Sequence, residues 1–163
     1  MKAEQEEPLP RARRVEVAVQ GIPMPRWRQA LVRFSARVLA RIDAEGWDVS
    51  LLLCNDERMA QLNSRYRGGQ GPTDVLSFGR EARRGARRKP LANVAGDIAV
   101  SLETMRRNAR RLGASDDEEL KRLVVHGILH LAGMDHGSGR GKEMLSLQEQ
   151  LLARLKEERI IPS

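Results

Sequence analysis

The sequence is poor in cysteine, in aromatic residues and in long apolar runs, and each shortage excludes a class of protein. Its 163 residues include one cysteine, Cys54, so an intrachain disulfide is impossible and a reducing compartment is expected. No apolar run approaches the roughly 20 residues that a membrane helix needs. Met1–Pro10 is polar and acidic, which argues against a secretory signal peptide. We therefore expect a soluble, cytoplasmic protein with no membrane attachment.

The residues that are abundant indicate a basic globular domain. Hydrophobic residues make up 40% and charged residues 31%, and 29 Lys and Arg against 22 Asp and Glu give a net charge of +7. This charge favours a polyanionic partner. Aromatic residues make up only 3%, which argues against the base-stacking platform of many single-strand binders. The basic side chains cluster in Arg80–Lys89 and at Arg106, Arg107, Arg110 and Arg111, where phosphate binding and simple solvation are both open.

Apolar patterns predict a single α+β domain over residues 14–163, behind a frayed tail at residues 1–13. The domain is expected to contain a four-stranded mixed sheet and about five helices. A capping box of Ser115 and Glu118 is expected to begin the fourth helix, and Leu145, Leu152 and Leu155 are expected in the core. Strands are predicted at Arg14–Gln20, Asp48–Cys54, Val75–Phe78 and Val94–Leu102. Helices are predicted at Trp27–Ile42 and from Asn55 through Tyr66. A short arginine-rich helix is predicted after the fourth strand, up to Leu112, and two more from Ser115 through His130 and at about Lys142–Glu158.

The three histidines of the chain, His126, His130 and His136, fall within eleven residues. Residues four apart lie on one face of a helix, so His126 and His130 share a face. His136 reaches the same point only if the helix ends first, and Gly133 can end it in a left-handed turn. Three converging imidazoles predict a metal site with an open fourth position, for which Zn²⁺ is favoured over copper or nickel. The competing interpretation is a coincidental helix face followed by a loop histidine.

The same spacing occurs in zinc proteases with the pattern H-E-x-x-H-x-x-G-x-x-H, so we expect a zincin-like metal helix. The glutamate that serves these proteases as general base is replaced here by Gly127. We therefore expect the three-histidine metal site of these proteases without their peptidase activity.

The histidine segment resembles the motif of the YbeY family, metal-dependent endoribonucleases that act as rRNA maturation factors. The family pattern H-G-x-L-H-L-x-G-Y-D-H is matched except that Met134 replaces the tyrosine. The chain departs from the family at Gly69-Gln70, where Lys-Asp is usual, and at Gly79, where proline is usual. Further matches occur at Leu62-Asn63, Tyr66-Arg67, Pro72–Phe78 and Gly96-Asp97-Ile98.

This resemblance implies both a site and a function. It implies that His126, His130 and His136 bind one Zn²⁺ per chain and that Arg67 is the catalytic residue needed for RNA cleavage. It also implies a single-strand-specific endoribonuclease that matures the 3′ end of 16S rRNA. The implied partners are RNA and the small ribosomal subunit, with ribosomal proteins or an assembly GTPase beside them.

The residues themselves leave two explanations for Arg67. A guanidinium offers a planar fork for phosphate oxygens and stabilises the charge that a transition state gathers. A cation at the C-terminal end of a helix is also favoured by the helix macrodipole. The nucleophile is likewise open between a metal-bound water and the 2′-hydroxyl of the substrate.

Several other polar residues are weaker candidates. Asp135 can orient a ligand imidazole or stabilise a turn. Thr73, Asp74 and Ser77 can line the cleft or serve the turn and the start of a strand. Cys54 is expected to end a buried strand as a small apolar residue.

Two other classes of function stay open. The first is a non-catalytic ribosome-assembly factor with a structural zinc site, although structural zinc is usually closed by a fourth protein ligand. The second, less favoured, is a metallopeptidase, which needs a carboxylate from elsewhere to replace the missing glutamate.

Overall fold

The computed structural model describes residues 14–44, 46–79, 94–134 and 141–163. The predicted tail over residues 1–13, the basic loop Arg80–Lys89 and the segment that holds Asp135 and His136 lie outside these ranges. The described elements follow one another as β1 Arg14–Gln20, α1 Arg28–Arg41, β2 Asp48–Cys54, α2 Asp56–Arg67, β3 Val75–Gly79, β4 Val94–Ser101, α3 Leu102–Leu112, α4 Asp116–Leu131 and α5 Gly141–Arg154.

The four strands form one sheet in the order β1-β2-β4-β3. β1, β2 and β4 run parallel, and β3 runs antiparallel to β4. Within the described ranges, the predicted α+β class with a four-stranded mixed sheet and five helices is confirmed. None of the helices in these ranges is long and apolar enough to span a membrane.

The sheet buries apolar side chains on both faces, because successive residues of a strand point to opposite sides. On one face, Leu51 of β2 and Ile98 of β4 belong to the main core, which α1, α4 and α5 cover. On the other face, Ala99 of β4 packs in a smaller cluster with Met59 and Leu62 of α2. The helices that carry Arg67 and the histidines are therefore held on opposite faces of one sheet.

α4 begins and ends where the sequence predicts. The Ser115 hydroxyl accepts the Glu118 N–H at 3.1 Å, and the Glu118 carboxylate accepts the Ser115 N–H at 2.8 Å, which completes the capping box. At the other end the helix stops at Leu131, and Gly133 adopts a φ of 84°. This left-handed conformation suits glycine, and it redirects the chain after the second histidine.

α5 ends at Arg154, so the predicted extension to Glu158 is wrong. Residues 155–157 instead form a turn, and within it the Lys156 carbonyl accepts a hydrogen bond from Lys121 Nζ of α4 at 3.2 Å. This tertiary contact gives the Lys156 carbonyl a hydrogen-bond partner on α4, which sequence periodicity does not reveal.

The buried side of α5 also differs from the prediction. It consists of Met144, Gln148 and Leu151, which follow one another at spacings of four and three residues. Leu145 lies next to this side rather than on it and is 47% exposed, so its predicted place in the core is wrong. Leu155 is buried, as predicted.

Candidate metal centre

Two of the three predicted metal ligands lie side by side on α4. The Nε2 atoms of His126 and His130 are 3.0 Å apart, and their ring planes meet at 76°. Both residues are partly buried. The helix therefore brings two nitrogen atoms to one point at the edge of the core, as the four-residue spacing requires.

Gln148 of α5 contacts the first of these histidines. Its Oε1 lies 3.1 Å from His126 Nδ1, and its side chain is buried. With the Nδ1–H donated to this oxygen, the lone pair of the ring lies on Nε2, on the side of His130. Sequence reasoning missed Gln148, although one signal was available: it is a polar residue in the apolar stripe of Met144 and Leu151.

This donor set fits zinc. Two nitrogens bound to one tetrahedral Zn²⁺ at about 2.0–2.1 Å lie about 3.3 Å apart, which is close to the 3.0 Å between His126 and His130. Among the described residues, no third His, Cys, Asp or Glu completes a cluster with them. The predicted third ligand, His136, is outside those residues, so zinc binding stays a prediction.

Arg67 is linked through β3 to α4, the helix that carries His126 and His130. It is the last residue of α2, and its exposed side chain donates from Nη2 to the Ser77 carbonyl at 3.0 Å. The Ser77 hydroxyl in turn donates to the Gly127 carbonyl of α4 at 3.3 Å. Since Gly127 directly follows His126, one residue of β3 separates Arg67 from the backbone of α4. The guanidinium is thus both a helix-end cation and linked, through Ser77, to the helix that carries His126 and His130.

Gly127, at the position of the protease glutamate, faces the sheet. A Cβ atom at this position would lie 2.9 Å from Ile98 Cγ2 and 3.2 Å from Ser77 Oγ. A longer side chain would therefore enter the core between α4 and the strands. A general base at this position would have to displace the side chains of Ile98 and Ser77, so a metallopeptidase would still need its carboxylate from elsewhere.

Cys54 is the buried end of β2, as predicted. Its thiol contacts the Val100 carbonyl at 3.6 Å. Burial raises the pKa of this thiol to about 11, so it stays protonated at neutral pH. A protonated thiol is a poor metal ligand, which makes Cys54 a core residue.

Asp74 and Thr73 order the turn before β3. The Asp74 carboxylate accepts the Val75 N–H at 2.8 Å, the Thr73 hydroxyl at 3.4 Å and the Asn108 amide at 3.3 Å. These contacts support the turn role that the sequence left open. Ser77 differs from them because its hydroxyl donates to the Gly127 carbonyl of α4.

One arginine of the basic cluster of α3 is anchored to a carboxylate of α2. Arg107 bonds to the Asp56 carboxylate at 2.7 Å, and the Ser101 and Thr104 hydroxyls donate to the same group. Burial raises the pKa of Asp56, but the bonds from Arg107, Thr104 and Ser101 outweigh it and lower the pKa from 3.8 to about 2. Arg107 therefore serves the fold, joining α3 to α2. All four arginines of the cluster are exposed: Arg106, Arg107, Arg110 and Arg111.

Comparison of the sequence with known proteins identifies its relatives. The Endoribonuclease YbeY of Treponema pallidum is 41% identical over 141 residues, which cover 86% of this chain and 88% of that protein. The Endoribonuclease YbeY of Aquifex aeolicus is 33% identical over 132 residues, or 80% of this chain and 85% of that protein. That of Synechococcus sp. is 46% identical over 110 residues, or 67% and 66%.

A solved structure supports the fold. The solution structure of TM1509 from Thermotoga maritima matches with a TM-score of 0.55 and 23% identity, over 88% of this chain and 92% of that one. The family model described as Endoribonuclease YbeY matches residues 16–156, a span that holds α2, the β3–β4 pair and the histidine helix. The chain therefore belongs to the YbeY endoribonuclease family.

Proposed function

We propose that the chain is a zinc-dependent endoribonuclease that cleaves single-stranded RNA in ribosomal RNA maturation, at the 3′ end of 16S rRNA. The observation that carries the proposal is the meeting of His126 Nε2 and His130 Nε2 at 3.0 Å in a chain of this family. The name that the relatives share, Endoribonuclease YbeY, supports the reaction class. The small ribosomal subunit is the proposed partner, and the cytoplasm is the proposed location.

The proposed ion is held by His126, His130 and His136 as neutral imidazoles. A bound Zn²⁺ supplies positive charge that polarises a phosphoryl oxygen or lowers the pKa of a coordinated water. Gln148 Oε1, an acceptor 3.1 Å from His126 Nδ1, favours the tautomer that carries its proton on Nδ1 and its lone pair on Nε2, which prepares His126 for this role. With three protein ligands, a fourth position stays available to water or substrate.

Arg67 is proposed to bind the substrate phosphate. Its guanidinium carries five N–H donors, and the bond to the Ser77 carbonyl engages one of its terminal nitrogens. That bond holds the side chain beside β3, so less rotamer freedom is lost when a phosphate binds. Charge-assisted hydrogen bonds to phosphate oxygens then stabilise the additional negative charge of the transition state.

The test compares four zinc-treated proteins on an end-labelled, single-stranded fragment from the 3′ end of 16S rRNA. The wild type is expected to cut the fragment. His130→Ala is expected to lose zinc and cleavage together. Arg67→Ala is expected to keep zinc and lose most cleavage. Arg65→Ala removes an equal charge from the same helix end and is expected to cut like the wild type.

Each deviation from this pattern has a defined meaning. Intact RNA with all four proteins, at measured full zinc occupancy of the wild type, would reject cleavage of free RNA and favour the assembly-factor alternative. Undiminished cleavage by Arg67→Ala would remove this residue from the reaction. Equal cleavage by wild type and His130→Ala would identify a contaminating ribonuclease and remove the support for a metal-dependent reaction. A duplex fragment cut equally fast would overturn the single-strand preference.

A further inference from the structure

We propose that Gln148 is a positioning residue of the metal centre, whose carboxamide oxygen fixes the tautomer and the orientation of the His126 ring. The inference rests on the zinc site of the proposed function. It adds a residue that lies outside the histidine segment and outside every motif described above.

The placement of Gln148 requires a reason, because a polar amide occupies a core position. Gln148 is 6% exposed and lies between Met144 and Leu151 on the buried side of α5. A buried amide without a hydrogen-bond partner is costly, whereas a leucine at this position would extend the apolar stripe. The partner is His126 Nδ1, 3.1 Å from Gln148 Oε1 and 22 residues away in the chain.

This contact selects one form of the imidazole. A neutral histidine has one N–H and one lone pair, and its two tautomers exchange them between Nδ1 and Nε2. An acceptor at Nδ1 keeps the proton there, which leaves the lone pair on Nε2. Nε2 is the atom of His126 that lies 3.0 Å from His130 Nε2. The contact with Gln148 therefore leaves the lone pair of His126 on Nε2 before any ion binds, which is the form in which this atom can bind a metal.

The positioning role has an expected size. Loss of an outer partner of a metal-bound histidine typically weakens metal affinity by 10- to 100-fold. Gln148→Met keeps the length and the buried volume of the side chain but removes the acceptor oxygen. Gln148→Glu keeps an acceptor that also favours the Nδ1–H form. The matched control is Gln150→Met on the exposed side of the same helix, where the amide donates to Ser146 Oγ.

The zinc dissociation constant of each purified protein is measured by competition with a chromophoric chelator at neutral pH. We expect a 10- to 100-fold weaker constant for Gln148→Met, a constant equal to or tighter than wild type for Gln148→Glu, and a change below twofold for Gln150→Met. A purely structural role predicts that Gln148→Met lowers the melting temperature of the metal-free protein and leaves zinc affinity unchanged. That result would overturn the inference.

A second measurement needs no variant and no metal. Two-bond ¹H–¹⁵N spectra of the ¹⁵N-histidine-labelled, metal-free wild type distinguish the Nδ1–H from the Nε2–H tautomer of each ring. We expect the Nδ1–H form for His126. The Nε2–H form would overturn the inference, even if Gln148→Met fails to fold.

These results separate the inference from the proposed function. Wild-type zinc affinity with a weakened Gln148→Met and no RNA cleavage would sustain the role of Gln148 and reject the nuclease. RNA cleavage together with equal zinc affinity in wild type and Gln148→Met would sustain the nuclease and reject the role of Gln148. Absence of zinc binding by the wild type would reject both.

Discussion

A glutamate placed at Gly127, the substitution that would restore the protease pattern, is expected to destabilise the fold rather than to create a peptidase. The first added atom alone would lie 2.9 Å from Ile98 Cγ2, 3.1 Å from Ile98 Cδ1 and 3.2 Å from Ser77 Oγ. Carbon atoms pack best at about 3.5–4.0 Å, so even the Cβ requires the isoleucine to shift.

The expected magnitudes differ for alanine and glutamate. Overpacking of a core typically costs about 1–3 kcal/mol, whereas replacing glycine by alanine inside a helix gains about 1 kcal/mol. Gly127→Ala is therefore expected to lower the free energy of unfolding by about 0–2 kcal/mol. Gly127→Glu adds a buried carboxylate to the same space, and we expect a loss of at least about 4 kcal/mol. A domain of this size has a total stability of only about 5–15 kcal/mol.

Urea unfolding followed by circular dichroism measures both variants against the wild type. Ser146→Glu, on the exposed side of α5, is the control for an added glutamate and is expected to change stability by less than about 0.5 kcal/mol. A Gly127→Glu protein as stable as the wild type, or one that hydrolyses a peptide library, would refute the packing argument. So would a Gly127→Ala protein more stable than the wild type by a full kilocalorie per mole.

Three further predictions concern acid stability, strand packing and RNA affinity. Because the folded state lowers the pKa of Asp56 from 3.8 to about 2, its contribution of about 2 kcal/mol is complete above pH 4 and lost as the pH falls toward 2. The stability difference between wild type and Asp56→Asn, from urea unfolding at several pH values, should therefore shrink over that interval; a constant difference would contradict the prediction. Gly96→Ala should destabilise the fold by about 3 kcal/mol or more, since the φ of Gly96 is 140° and an added Cβ would lie 2.1 Å from the Phe78 carbonyl oxygen. An unchanged melting temperature would contradict this and show that β3 can move away from β4 at little cost in free energy. Replacing Arg110 and Arg111 by alanine should weaken the salt dependence of single-stranded RNA binding. The slope of log association constant against log salt concentration, from fluorescence anisotropy titrations, should fall by about 0.7 for each phosphate that these arginines neutralise. An unchanged slope would exclude this surface from RNA binding.

The sequence predicts the elements well where local rules decide them. Ser115 and Glu118 specify the start of α4 by a hydrogen-bonding pattern that four consecutive residues contain. Gly133 marks its end for a similar reason, because a left-handed residue ends a helix whatever surrounds it. The alternation of β1 and the apolar run of β2 likewise predict their strands directly.

The tertiary contacts of the site are not predictable from such rules. Counting only apolar residues put Leu145 in the core, whereas the buried side of α5 runs through Gln148, a polar residue that needs His126 across the interface. The contact of Arg67 with Ser77 depends in the same way on how α2 and β3 meet. The sequence motif identifies the candidate site residues, but the packing of α5 and β3 against α4 determines what each of them contacts.

The strand order also determines when the site can assemble. β3 lies at the end of the sheet and pairs with β4, a strand that follows it in the chain, so its carbonyl partner for Arg67 has no fixed place until β4 has joined β2. The histidine helix follows β4, and Gln148 belongs to α5, the last helix described. A nascent chain that ends before α5 contains all four described strands and both histidines of α4, but it lacks the Gln148 contact of His126. The contact between Gln148 and His126 therefore forms only after the chain has made all four described strands and both helices that flank the contact.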